Sequence, residues 1–126
     1  MQIPDELRYS SDHEWAKLSS GVVRIGITDY AQDALGDVVF VDLPKIGAII
    51  AAGAALGEVE STKSVSEIYA PVGGTVSAVN SALSVSPEVV NSDPYGEGWI
   101  CEITMSSSDD FDALLDASGY QALTNN

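Results

Sequence analysis

Runs of apolar residues divide the chain into short strands. Val23, Ile25 and Ile27 alternate with Val22, Arg24 and Gly26, which predicts a half-buried strand ending at Thr28. Asp29 to Leu35 reads as a short helix, with Thr28 or Asp29 as its cap and Gly36 as its terminator. Val38 to Leu43 is apolar except for Asp42 and stops at Pro44, the pattern of a buried strand. Between Ile46 and Ala55, Gly47 and Gly53 mark turns between further short strands. Val59 on one side and Val65, Ile68 and Tyr69 on the other flank the small polar stretch Ser61 to Ser64, which predicts a hairpin with Lys63 at or near its tip. Val65 and Tyr69 share a parity that Ile68 breaks, so a bulge or register change fits there. Strands are expected again at Thr75 to Val79 and Trp99 to Met105, with a loop from Asn80 to Gly98 between them.

The run Ser106-Ser107-Ser108-Asp109-Asp110 is a helix start, since serine caps and early acids suit the positive end of a helix. Phe111, Leu114 and Leu115 then give one apolar stripe, and Gly119 is expected to interrupt the helix before Tyr120 and Leu123. The class is therefore mainly β, with short helices at 29–35 and near the C-terminus, the latter a helical segment at about 108–123. No linker divides the chain, and residues 1–126 are expected to form a single domain.

Composition narrows the chemistry. Hydrophobic residues make up 45% of the chain, enough for a packed core. Nineteen acidic residues against five basic ones give a net charge of −14. Such a surface has little with which to neutralise phosphates, so neither nucleic acid nor an anionic membrane is expected as a partner. Steering toward basic docking surfaces is one use of that charge; keeping a concentrated protein soluble is the plainer one. One cysteine, Cys101, and one histidine, His13, supply no internal disulfide, CxxC pair or zinc ligand set. Any redox chemistry must arrive on a cofactor. The N-terminal residues carry neither a secretory nor an organelle-targeting pattern, so a bacterial cytoplasmic location is expected, with a processed mitochondrial form as the alternative.

The lysines lie at 17, 45 and 63, and only Lys63 is centred in a hairpin. Its charged neighbours within six residues are Glu58, Glu60 and Glu67. A Schiff-base lysine needs an apolar pocket or a nearby cation to favour its neutral form, whereas carboxylates favour the ammonium. Lys63 is badly placed as a free nucleophile. It is well placed as an acceptor for covalent modification, because a tip on stiff strands offers the side chain to an attaching enzyme. An ordinary solvated turn lysine paired with Glu60 is the plain alternative on composition alone.

Larger blocks favour the first reading. Glu60-Ser61-Thr62-Lys63-Ser64-Val65-Ser66, followed by Ala70-Pro71-Val72-Gly73-Gly74-Thr75-Val76, resembles the lipoylation site of glycine cleavage H proteins. His13-Glu14-Trp15 is similar to that family's N-terminal signature. So are Gly26 to Gln32 continuing into Leu35 to Pro44, and Asn91 to Trp99, to its two other characteristic blocks. In order, the blocks run from about Tyr9 to Trp99. Thr62 and Ser64 depart from the family, which more often has Val and Ala there, and Glu102 stands where a basic residue is common. Biotinyl domains and the lipoyl domains of 2-oxo acid dehydrogenases keep Met or Asp immediately before the lysine and lack the 26–44 and 91–99 blocks.

The resemblance implies a flattened sandwich or barrel of two antiparallel sheets, the biotinyl/lipoyl-carrier architecture. It implies covalently attached lipoate on Lys63, with the protein as a monomeric, non-catalytic carrier. Its implied partners are a pyridoxal-phosphate glycine decarboxylase, which loads an aminomethyl group; a tetrahydrofolate-dependent aminomethyltransferase, which removes it; a flavin dihydrolipoyl dehydrogenase, which reoxidises the arm; and the lipoyl-attaching enzymes. A role as lipoyl donor to other lipoyl-dependent enzymes is the alternative within the family. In the family the loaded arm folds into a cleft on its own carrier, which makes Glu14, Glu67 and Asp12 acceptors for the amine at its end. For His13 the plainer reading is packing or a partner contact, for Cys101 a small buried residue, and for Trp15 and Trp99 the core. A stand-alone enzyme built on Lys63 or His13 is the remaining class, and no nucleophile neighbours His13 in sequence.

Overall fold

The computed structural model describes residues 1–125. Nine strands are arranged in two antiparallel sheets: β1 (Arg8–Tyr9), β2 (Glu14–Ser19), β3 (Val22–Ile27), β4 (Val38–Asp42), β5 (Ile49–Ile50), β6 (Ala55–Ser61), β7 (Val65–Tyr69), β8 (Gly74–Val79) and β9 (Cys101–Met105). One sheet has six strands in the order β1-β2-β3-β9-β8-β5, the other three in the order β4-β6-β7. Neither closes into a barrel. Val23, Ile25, Val76 and Ile103 from the larger sheet and Val41, Val59 and Ile68 from the smaller one meet in a single buried cluster, so the sheets form the two layers of a flattened sandwich.

Helix α1 (Asp29–Leu35) starts where the sequence places it, with the Thr28 hydroxyl accepting the Ala31 N–H at 3.1 Å. It ends at Gly36, whose φ of +82° and ψ of −158° suit glycine alone. Gly26 is required for another reason. A Cβ there would lie 2.6 Å from the indole of Trp15, which packs flat over the backbone of β3.

Four expectations need correction. Val38 to Asp42 forms a strand, but as the edge of the smaller sheet it leaves Val39 and Phe40 exposed. The stretch 80–98 is not all loop, since it holds a 3-10 turn at Ser81–Ser84 and the short helix α2 (Val89–Ser92). The segment at 108–123 is two helices, α3 (Ser108–Asp112) and α4 (Ala117–Thr124), and Leu115 does not share a helical stripe with Phe111. Instead Leu115 and Tyr9 exchange backbone hydrogen bonds of 2.8 Å each way, so the chain turns extended there before Asp116 caps α4. Gly119 lies inside α4 and donates its N–H to that Asp116 cap at 2.7 Å rather than breaking the helix. These contacts build a second apolar cluster of Leu7, Tyr9, Trp15, Ala117 and Tyr120.

Candidate functional site: a stapled hairpin beside an acidic cleft

The β6–β7 hairpin turns through Ser61 to Ser64, and Lys63 stands exposed at its tip. Ser61 is buried and staples the turn. Its Oγ accepts the N–H groups of Lys63 (3.3 Å) and Ser64 (3.1 Å), and its backbone N–H donates to the Ser64 carbonyl at 2.8 Å. The Thr62 N–H reaches across to the Asp37 carbonyl at 3.0 Å, which ties the tip to the connection between α1 and β4. A register shift does occur in this hairpin, but on β6 between Ala55 and Gly57; on β7 plain alternation sends Ile68 into the core while Val65 and Glu67 stay exposed.

The stem of Lys63 runs over the end of α1, with its Cε 3.4 Å from where a Cβ on Gly36 would sit. Among the described residues no carboxylate lies within ion-pair distance of Lys63; the ion pair found is Arg24 to Glu102 at 2.9 Å, on the larger sheet. That pair, with the Arg24 guanidinium 4.3 Å from the Trp99 ring, accounts for the unusual acid at 102 and keeps it away from the hairpin.

Beside the tip opens a cleft of about 340 Å³. Ser64 to Ile68 form one wall, Tyr30, Ala31, Ala34 and Leu35 of α1 another, and Asp12 and His13 from the turn between β1 and β2, with Glu14 at the start of β2, line it as well. Asp12 and Glu14 thus share one cavity with Glu67, more distant along the chain, and Ser64, next to Lys63, lines it too.

They are not equivalent. Asp12 and Glu67 are exposed, whereas Glu14 is 2% exposed. Its carboxylate accepts the Ser10 hydroxyl at 2.5 Å and the Tyr69 N–H at 3.1 Å, which joins the β1–β2 turn to β7. Burial pushes its pKa up from 4.5 to about 7, the two hydrogen bonds pull the other way, and Asp12 adds to the rise. His13 takes a φ of 70°, in the left-handed region that histidine tolerates better than most residues. Its ring stacks on Tyr30 at 4.6 Å, and burial holds its pKa below the usual value against the pull of Asp12.

Three supporting residues carry no sequence signal strong enough to have been singled out. Ser61 is one, although a serine two residues before a turn lysine fits a hydroxyl turn. Asn91 donates to the Gly36 carbonyl (2.9 Å) and the Gln32 side chain (3.0 Å) and accepts the Val38 N–H (2.8 Å), clamping the end of α1 to the start of β4. The third is Tyr120, on α4. Cys101 is buried on β9, and among the described residues no cluster could hold a metal ion.

Residues 7–126 match the Glycine cleavage H-protein family. The chain belongs to that family. It is 57% identical over 124 residues to the glycine cleavage system H protein of Micrococcus luteus, with 97% of each chain covered. To that of Mycolicibacterium smegmatis it is 56% identical over 126 residues, covering 97% of this chain and 96% of the relative. The crystal structure of a glycine cleavage system H protein from Mycobacterium marinum superposes with a TM-score of 0.91 at 41% identity, covering 98% of this chain and 100% of the other. This H-protein fold is thus the two-sheet carrier architecture that the sequence blocks imply.

Proposed function

We propose that Lys63 is the lipoyl attachment site and that residues 1–126 act as one carrier domain that shuttles a loaded arm and catalyses nothing itself. Membership of the H-protein family supplies the coarser statement, a lipoate-bearing carrier of the glycine cleavage system. One observation carries the finer one: an exposed amine on a hydrogen-bonded tip, next in sequence to Ser64 of a cleft that a buried carboxyl, Glu14, also lines. When bound, the lipoyl dithiolane supplies the chemistry, accepting an aminomethyl group from glycine decarboxylase, yielding it to aminomethyltransferase and being reoxidised by dihydrolipoyl dehydrogenase.

The residues suit such a group. Ile27, Ala31, Leu35, Val59 and Ile68 offer apolar surface to a hydrocarbon arm, and Asp12, His13, Glu14 and Glu67 supply polar groups in the same cleft. Glu14 has no cation partner among the described residues, and an aminomethyl terminus would provide one. Glu67 and Asp12, exposed residues of the same cleft, add long-range attraction for that cation. No helix among the described residues is long and apolar enough to cross a membrane, and we place the cycle in the bacterial cytoplasm, where the partner enzymes and the lipoyl-attaching enzyme would meet the carrier.

The test is an intact-mass spectrum of the chain produced with lipoate and its attaching enzyme, followed by peptide mapping. A lipoyl-sized addition on Lys63 is expected. An unmodified chain, or an addition elsewhere, rejects the proposal.

A further inference from the structure

We infer that Tyr120, on the C-terminal helix, is a positioning residue that holds two walls of the cleft together through its hydroxyl; this rests on the carrier reading above. The ring is fully buried and stacks on Tyr9 with centroids 4.7 Å apart and planes 11° from parallel. Packing of that kind needs only a phenyl ring. A buried hydroxyl costs free energy unless its hydrogen bonds are made, so its presence calls for an account of its partners.

One partner lines the cleft and the other supports one of its walls. The hydroxyl lies 2.7 Å from Nδ1 of His13, which lines the cleft, and 2.7 Å from Oγ1 of Thr28, which is buried and caps α1. That cap fixes the first turn of the helix whose Tyr30, Ala31, Ala34 and Leu35 form a wall. The protons can be counted. Thr28 Oγ1 accepts from Ala31, so its own hydrogen is free to donate to the Tyr120 oxygen; Tyr120 then donates to His13 Nδ1, and a neutral imidazole keeps its proton on Nε2. The Thr28 hydroxyl, the Tyr120 hydroxyl and His13 Nδ1 are then all paired. His13 also stacks on Tyr30, so the loop and the helix are joined once through their rings and once through Tyr120. The left-handed backbone at His13 makes this second tie useful, because a residue in that region stays there only when its surroundings hold it.

Tyr120→Phe keeps the ring and its stack on Tyr9 and removes only the tie. Wild type and variant would be lipoylated and loaded with the aminomethyl group by glycine decarboxylase. Loss of ammonia from the loaded arm would then be followed without aminomethyltransferase. We expect the variant to lose it about three- to tenfold faster, the ratio expected when a hydrogen bond no longer favours the closed cleft. Lipoylation by mass and the tryptophan bands of the near-ultraviolet circular dichroism should be unchanged. His13→Phe, which keeps the stack on Tyr30 but not the hydrogen bond, should accelerate loss by a similar factor. The double variant should exceed neither single one by much, because both break the same link. A general weakening of the fold would instead add the two effects. A loaded Tyr120→Phe with the wild-type rate, or full additivity, overturns the inference alone; wild-type protein that never accepts lipoate overturns it together with the carrier reading. If Tyr120→Phe does not fold, His13→Phe carries the test, and a wild-type rate from it overturns the inference.

Discussion

Glu14→Gln tests whether the buried acid lining the cleft titrates as its surroundings dictate. Glu14 is 2% exposed and its pKa is raised from 4.5 to about 7. That displacement is worth roughly 3 kcal/mol in favour of the protonated form. Because the folded chain holds this proton more tightly than the unfolded chain does, stability falls as pH rises from about 4.5 to about 7 and levels off above. Glutamine reproduces the hydrogen bonds of the protonated acid: its carbonyl can accept the Tyr69 N–H and its amide can donate to the Ser10 oxygen.

Urea unfolding followed by the fluorescence of buried Trp15 gives the stability of both proteins at each pH. The two curves should nearly coincide near pH 4.5 and separate until Glu14→Gln is the more stable by up to roughly 3 kcal/mol at pH 8. The comparison isolates one group, since the remaining carboxylates are common to both proteins. Parallel curves across the range would refute the reasoning, because a carboxyl that titrates normally contributes no such difference. A loaded arm adds a second check. Its amine should stabilise the carboxylate, so the Glu14 carboxyl resonance should titrate at lower pH in loaded than in unloaded protein.

Three further substitutions probe the tip and its supports. Lys63→Arg should abolish lipoylation by mass spectrometry while changing stability by less than about 0.5 kcal/mol, since the side chain is exposed. Gly36→Ala forces a Cβ onto a backbone with φ +82°, 3.4 Å from Cε of Lys63, and should cost about 1–3 kcal/mol in denaturant unfolding. Asn91→Ala leaves the Val38 N–H and the Gly36 carbonyl without their partner; a loss of about 2–3 kcal/mol and slower lipoylation are expected, measured by thermal unfolding and a timed modification assay.

The elements that the sequence predicts well are those whose signals are local. The Thr28 cap, the α1 boundaries and the serine-flanked tip each rest on residues within a few positions of one another. The misplaced edge strand and the broken C-terminal helix share one cause, which is contact between distant segments. The short helices within 80–98 and the Gly119 cap are instead local signals missed in the sequence. Nothing in Val38 to Leu43 says that it is an edge strand, because edge position depends on which strand pairs where. The break between α3 and α4 follows from the pairing of Leu115 with Tyr9, an interaction over a hundred residues long that overrides helical spacing. Glu14 looks like a surface acid next to Asp12 until β7 brings the Tyr69 N–H to it. The block from Asn91 to Trp99 is conspicuous in sequence, yet its work here is structural: Asn91 clamps α1, and the Pro94 carbonyl accepts the Trp15 indole N–H at 2.9 Å.

This division explains why support for the cleft comes from so far along the chain. A carrier that serves several active sites needs freedom in its arm and none in its anchor. Freedom in the anchor would be the default, since a two-stranded hairpin alone is marginally stable in water. The tip is fixed from outside, by Thr62 bonded to Asp37 and by Asn91 holding the segment to which Asp37 belongs. The cleft is fixed in the same way, by Glu14 bonded to β7 and by Tyr120 bonded to His13 and Thr28. If the anchor were meant to move, these tertiary hydrogen bonds would work against it. Their placement around the hairpin and the cleft leaves the motion to the arm proposed for Lys63.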